Sequence, residues 1–185
     1  MHELSLPKRW LARPPRATVP ARLRPWLTDP CSLTARISAR CASFRVVVLR
    51  QALDHPHPDE AILFGLRPRD LVWVREVLLL ADGRPVVFAR SILPRDHVSG
   101  TWHLFHAIGT RPLGAALFAN PAIVRSPLSS TCLDRRDARY HHALAAAQPR
   151  PWPARLWARR SVFRLGHRAL LVSEFFLPAI TELDA

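Results

Sequence analysis

The sequence predicts an α+β domain built on an antiparallel sheet, and three observations carry that expectation. Residues 71–93 hold two runs rich in β-branched, aromatic and aliphatic side chains around Ala81-Asp82-Gly83-Arg84. Asp-Gly between such runs signals a tight hairpin, because Gly takes φ > 0 without a Cβ clash. A second pair of runs, 157–165 and 168–177, flanks Gly166-His167. Helix-like stretches fall between the strand pairs, as in α+β folds with antiparallel neighbours.

A length of 185 residues fits one domain spanning 1–185, large enough for a real core. The formal charge of +13 rests on arginine, since Lys8 is the only lysine. The arginines are scattered rather than gathered in a basic block, so no nucleic-acid partner is expected. No uncharged apolar run reaches membrane-spanning length, so no membrane insertion is expected. Cys31, Cys41 and Cys132 are an odd set without CxxC spacing. They argue for a reducing compartment, the cytoplasm, and against a zinc site or a disulfide framework.

Along the chain, residues 1–30 form an Arg- and Pro-rich lead-in with no secretory h-region. Trp10 and Trp26 are its expected packing anchors, with a short turn over 21–27. Asp29 or Ser32 is placed to cap a helix running to about residue 42, and 44–49 reads as a β-branched strand. Residues 54–60 read as a polar loop broken by Pro56 and Pro58; His55 and His57 lie there without partners at metal-ligand spacing. A turn over 94–100, helices at 102–108 and 112–118, and a strand over 125–139 follow. Residues 140–147 are Ala-rich, and 148–153 are a Pro-rich loop carrying Trp152. There is no G-x-G-x-x-G, no P-loop and no internal repeat.

Charges inside apolar strands are the candidate chemistry, because a buried charge is costly unless it is paired or meets a ligand. Arg75 and Glu76 interrupt the first run of the central hairpin and Arg90 the second. As neighbours, Arg75 and Glu76 point to opposite faces, so one can line a cavity while the other pairs elsewhere. Glu174 shares a strand face with Val172 and Phe176. Spacing leaves it either paired with an interior Arg or facing a ligand hydroxyl, and favours the ion pair. A cavity holding Arg and Glu in an apolar sheet suits a small, flat anion with a polar group at its far end.

Five segments in series resemble the chorismate pyruvate-lyase (chorismate lyase) family: Trp73-Val74-Arg75-Glu76-Val77-Leu78-Leu79, Ala81-Asp82-Gly83, Arg111-Pro112-Leu113-Gly114 with Leu117-Phe118, Arg159-Arg160-Ser161, and Ser173-Glu174-Phe175-Phe176-Leu177-Pro178. The stretch from Trp26 to Thr34 is also similar, and the likeness is weakest over 49–68 and 139–153. The resemblance implies conversion of chorismate to 4-hydroxybenzoate and pyruvate at the entry to ubiquinone biosynthesis. It implies a monomeric antiparallel sheet with helical flaps over a buried site, with no metal and no organic cofactor. By motif, Arg75 holds the ring carboxylate and Glu174 faces the ring hydroxyl. Backbone amides of Leu33 and Leu113, on the flaps, complete the site. Leu33 stands where the family's familiar pattern has Met, and Cys31 is a less usual neighbour of that flap. Arg90 is a further candidate, for the second carboxylate. The effector-binding domains of some bacterial regulators resemble this fold, so an aromatic-acid-binding module without catalysis is the second expectation. Such regulators carry a winged-helix segment ahead of this domain, and none is expected here.

Overall fold

The computed structural model describes residues 10–67, 69–98, 102 and 104–183. Residues 1–9, the start of the expected lead-in, and Ser99-Gly100 of the expected turn lie outside the described residues. Seven strands form one sheet: β1 (Phe44–Asp54), β2 (Val72–Ala81), β3 (Arg84–Pro94), β4 (Val124–Arg125), β5 (Ser129–Leu133), β6 (Leu156–Leu165) and β7 (Arg168–Phe176). Their order is β1-β2-β3-β7-β6, and β4 and β5 take successive stretches of the remaining edge of β6. Every pairing is antiparallel.

The central hairpin turns where the sequence places it. Asp82 has φ 49° and Gly83 φ 80°, the paired positive values that match a primed turn to the twist of its strands. The Asp82 carboxylate accepts from the Ser43 amide at 2.8 Å, which ties the start of β1 to the turn. Nothing lies within 4 Å of a Cβ built on Gly83, so any penalty for a side chain there is conformational. Gly83→Val should therefore cost about 1–2 kcal/mol of stability. The check is a lower urea midpoint with an unchanged slope; an unchanged midpoint counts against the turn assignment.

Among the described residues, six short α-helices cover the sheet: α1 (Arg24–Thr28), α2 (Leu33–Ser38), α3 (Pro58–Phe64), α4 (Leu104–Ala107), α5 (Leu113–Ala119) and α6 (Ala138–Ala147). Period-two alternation gives the sheet two apolar faces, and both are covered. On one face, Trp26, Leu27, Leu33 and Ile37 of α1 and α2 pack on Val77, Leu79, Ala89 and Phe176. Farther along it, Trp102, Phe105 and Leu117 pack on Leu93, Phe163 and Leu170. On the other face, Tyr140, Ala143 and Leu144 of α6 pack on Leu78, Phe88 and Phe175. Among the described residues, no helix is long and apolar enough to cross a membrane.

Trp26 is fully buried, with the Arg36 guanidinium 4.3 Å above its ring. Trp10 is an anchor of another kind: its indole N–H donates to Asp59 at 2.7 Å. Ser32 caps α2, accepting from the Ala35 amide at 3.4 Å, and that helix ends at Ser38, short of residue 42.

Three expectations are corrected. The first strand runs on to Asp54, because a bulge between Val48 and Arg50 lets its polar residues keep pairing with β2. The expected loop over 54–60 contains the start of α3, with Pro58 in its first turn, where a missing N–H costs nothing. Within the expected strand over 125–139, β4 and β5 are separate and α6 begins at Ala138 under an Asp137 cap (Arg139 N–H to Asp137, 2.9 Å).

Candidate active site

The cavity lies on the sheet face beneath α2 and α5. Strand alternation brings Arg75, Val77 and Leu79 of β2, Ala89 and Ser91 of β3, and Val172 and Glu174 of β7 to its floor. Leu33, Thr34, Leu113, Gly114 and Leu117 form the roof. The two roof helices approach closely: a Cβ on Gly114 would stand 3.5 Å from the Thr34 hydroxyl. Phe118, Phe163 and Arg125 complete one wall. The lining is mainly apolar, and charge enters it at few points.

Arg75 is buried at 2% exposure. Its Nη1 donates to Gln51 Oε1 at 2.8 Å and its Nη2 to the Gly109 carbonyl at 2.6 Å. Both acceptors are neutral, and burial holds the guanidinium below its ordinary value. Two of its five N–H groups are used. A cation placed this way is fixed in direction and pairs with no carboxylate among the described residues.

Glu174 is placed differently. Register sets it opposite Arg159 of β6, and Arg159 Nε donates to its Oε2 at 2.5 Å. Arg159 Nη1 donates to the Trp26 and Asp29 carbonyls at 2.7 and 2.8 Å, so the same side chain anchors the chain that leads into α2. The Glu174 carboxylate is thus part of a structural ion pair and part of the cavity lining. The ion pair that spacing favoured is formed, and Glu174 lines the cavity as well.

The opposite face of the sheet holds a separate polar network. Arg90 pairs across the hairpin with Glu76 at 2.8 Å and also reaches Glu60 of α3 at 3.2 Å. Arg139 binds Asp59 at 2.9 Å and Asp137 at 2.8 Å, and Arg160 binds Asp59 at 2.8 Å. Arg90 as a second carboxylate ligand is therefore corrected: it lies one residue from Ser91 in an alternating strand, so it points away from the cavity. Asp59 and Glu60, expected in a loop, are instead the counter-ions that make this burial tolerable.

His57 sits beside this network, and burial pushes its pKa down more than Glu60 raises it. Above about pH 6.5 the ring is neutral in both folded and unfolded chains. Below that, the unfolded chain binds a proton that the folded one resists, so stability falls as pH falls, by up to about 1.4 kcal/mol per pH unit. His57→Asn should lose less stability between pH 7.5 and 5.5 than the parent in urea titrations; equal losses would sink the assignment.

Residues 8–183 match the family described as chorismate lyase. The chain belongs to that family. It is 69% identical over 174 residues to a probable chorismate pyruvate-lyase from Aromatoleum aromaticum, covering 94% of each chain. It is 61% identical over 178 residues to a protein of the same description from Azoarcus sp., covering 94% of this chain and 93% of that one. In fold it is similar to the effector domain of PhnF from Mycobacterium smegmatis (TM-score 0.55, 15% identity, 80% of this chain and 89% of that one). It is likewise similar to the C-terminal domain of a histidine utilization repressor from Pseudomonas syringae (TM-score 0.53, 9% identity, 74% and 93%). The likeness to these two solved structures is one of fold.

Of the chorismate lyase site residues expected from motifs, the structure gathers Arg75, Glu174, Leu33 and Leu113 around one cavity. Leu33 and Leu113 are the first residues of α2 and α5, where backbone N–H groups have no intrahelical acceptor. Cys31 is exposed, and its amide donates to Asp29 at 2.8 Å, so it shapes the approach to the α2 flap rather than the cavity. Arg159 was legible only as part of the Arg159-Arg160-Ser161 motif. Arg125 gave no signal at all, since it stands in a run without alternation before Pro127.

Proposed function

We propose that this chain converts chorismate to 4-hydroxybenzoate and pyruvate in the cavity under α2 and α5, as the entry step to ubiquinone. One observation carries the site assignment: Arg75, satisfied only by neutral acceptors, and Glu174 line one apolar cavity. Arg75 receives the ring carboxylate, for which its planar fork is suited. Glu174, held by Arg159, receives the ring hydroxyl. The Leu33 and Leu113 amides are added donors from the flaps.

The chemistry needs little from the protein beyond this. The ether C–O bond to the enolpyruvyl group breaks, and the ring carbon that bears the hydroxyl loses its hydrogen. The C–H electrons complete the aromatic ring, and the departing oxygen keeps the C–O pair. Transfer of that hydrogen to the enolpyruvyl methylene gives pyruvate and balances the reaction without a protein base. The residues hold the substrate in the reactive conformation and stabilise charge on the leaving oxygen in a mainly apolar site.

The protein acts as a monomer, as one domain over its length. Cys31, Cys41 and Cys132 form no disulfide among the described residues, which suits a reducing cytoplasm. Incubating purified protein with chorismate should release pyruvate and 4-hydroxybenzoate in equal amounts, with or without chelator. Binding of 4-hydroxybenzoate with no pyruvate released would instead make this an aromatic-acid-binding module.

A further inference from the structure

We infer that Arg125 is the ligand for the second, enolpyruvyl carboxylate of the substrate, a contact that the product does not make. This rests on the lyase reading above. Arg125 lines the cavity together with Arg75 and Glu174. Its Nε donates to Ser161 Oγ at 2.7 Å and its Nη1 to the Pro30 carbonyl at 2.6 Å. Among the described residues its Nη2 has no hydrogen-bond partner. Its guanidinium lies 5.3 Å from the ring centres of both Phe118 and Phe163, which fix its plane.

Charge counting gives the reason. Six ionised groups belong to this part of the molecule: Arg75, Arg125, Arg159, Glu174, and Asp29 with Arg36, which form an ion pair of their own at 2.9 Å. Arg159 and Glu174 neutralise each other. Arg75 and Arg125 are left, each bonded only to neutral oxygens, and burial lowers the pKa of both. Two cations without a protein counter-ion suit a dianion, and a monoanion leaves one of them unmatched. Chorismate carries two carboxylates and 4-hydroxybenzoate one.

Position agrees with this. The enolpyruvyl arm is attached to the ring carbon next to the one bearing the hydroxyl, so its carboxylate belongs near Glu174, away from Arg75. Arg125 feels the Glu174 charge. It also stands, with Phe118, on the wall shared with an outer groove of about 1200 Å³ that carries Arg13, Arg16 and Arg24. Arg125 therefore holds the arm that leaves and faces a basic way out for it.

The test uses the full chain and two monitored ligands, 4-hydroxybenzoate and 3-(1-carboxyvinyloxy)benzoate, an unreactive aromatic dicarboxylate with the same enol ether arm. Arg125→Met should weaken the dicarboxylate on the order of 10- to 100-fold, with a matching rise in KM for chorismate. Its affinity for 4-hydroxybenzoate should stay within about threefold, the change expected of a group outside that contact. Arg125→Lys, which keeps the charge, should recover part of the loss and decides the matter if the Met variant does not fold. Equal weakening of both ligands, or no change in the dicarboxylate, overturns the assignment. Pyruvate release by the unmodified protein is scored separately: its absence defeats the lyase reading itself, whatever the variants bind.

Discussion

Arg75→Ala is expected to weaken 4-hydroxybenzoate and chorismate together, and to do so more than Arg75→Lys. The charge-assisted contact to the ring carboxylate is worth about 1.5–3 kcal/mol, or roughly 10- to 150-fold in affinity. The structure adds a reason why Lys is a poor replacement. Arg75 already serves Gln51 and the Gly109 carbonyl while keeping free N–H groups for a ligand. An ammonium group has three donors and no planar fork, so it cannot hold both neighbours and still meet a carboxylate in bidentate geometry. Gly109 lies between α4 and α5, so the Ala variant also loosens the approach to the α5 flap. Calorimetric titration of 4-hydroxybenzoate into both variants is the measurement. Unchanged affinity in a folded Ala variant would remove Arg75 from the site.

Glu174→Gln should lower both stability and discrimination. Arg159 is 1% exposed, and removing Glu174, its one carboxylate partner among the described residues, strands a buried cation. Breaking such a pair costs roughly 3–5 kcal/mol. The Trp26 and Asp29 carbonyls keep Arg159 partly satisfied, which places the expected loss at the low end, about 3 kcal/mol. Because the same carboxylate lines the cavity, 4-hydroxybenzoate should lose more affinity than benzoate, which has no hydroxyl to present. Melting temperature and the two affinities, for parent and variant, separate the roles. A large fall in melting temperature with both ligands weakened equally would leave Glu174 to the scaffold alone. An unchanged melting temperature would mean that carbonyls suffice for Arg159.

These two residues also show how far a one-dimensional reading reaches. The hairpin was legible because Asp82-Gly83 dictates its own geometry, but a bulge between Leu79 and Leu80 shifts the β2–β3 pairing by one residue, and nothing in the spacing marks it. Opposite orientation of Arg75 and Glu76 followed from the pleat alone. The same rule excludes Arg90 from the cavity, but only once the facing residue, Glu76, fixes which side it shares. Asp59 and Glu60 read as loop residues because Pro56 and Pro58 surround them; Pro58 instead opens α3 and delivers both carboxylates to buried arginines.

By itself, then, the sequence determined the antiparallel α+β sheet, the two hairpins and the family, and it singled out Arg75 and Glu174 as candidate site charges, which the fold brings to one cavity. Each of these is a local pattern: turn chemistry, period-two alternation, or a motif a few residues long. Tertiary structure alone decided that Glu174 is shared between Arg159 and the cavity, that Arg90 belongs to the far face, and that Arg125 closes the wall. Those outcomes depend on strands and loops far apart in the chain meeting across the sheet. Arg125, for example, takes its place from Ser161 and the Pro30 carbonyl. A side chain's partners across such distances are set by register and packing, which leave no mark in the spacing of its neighbours.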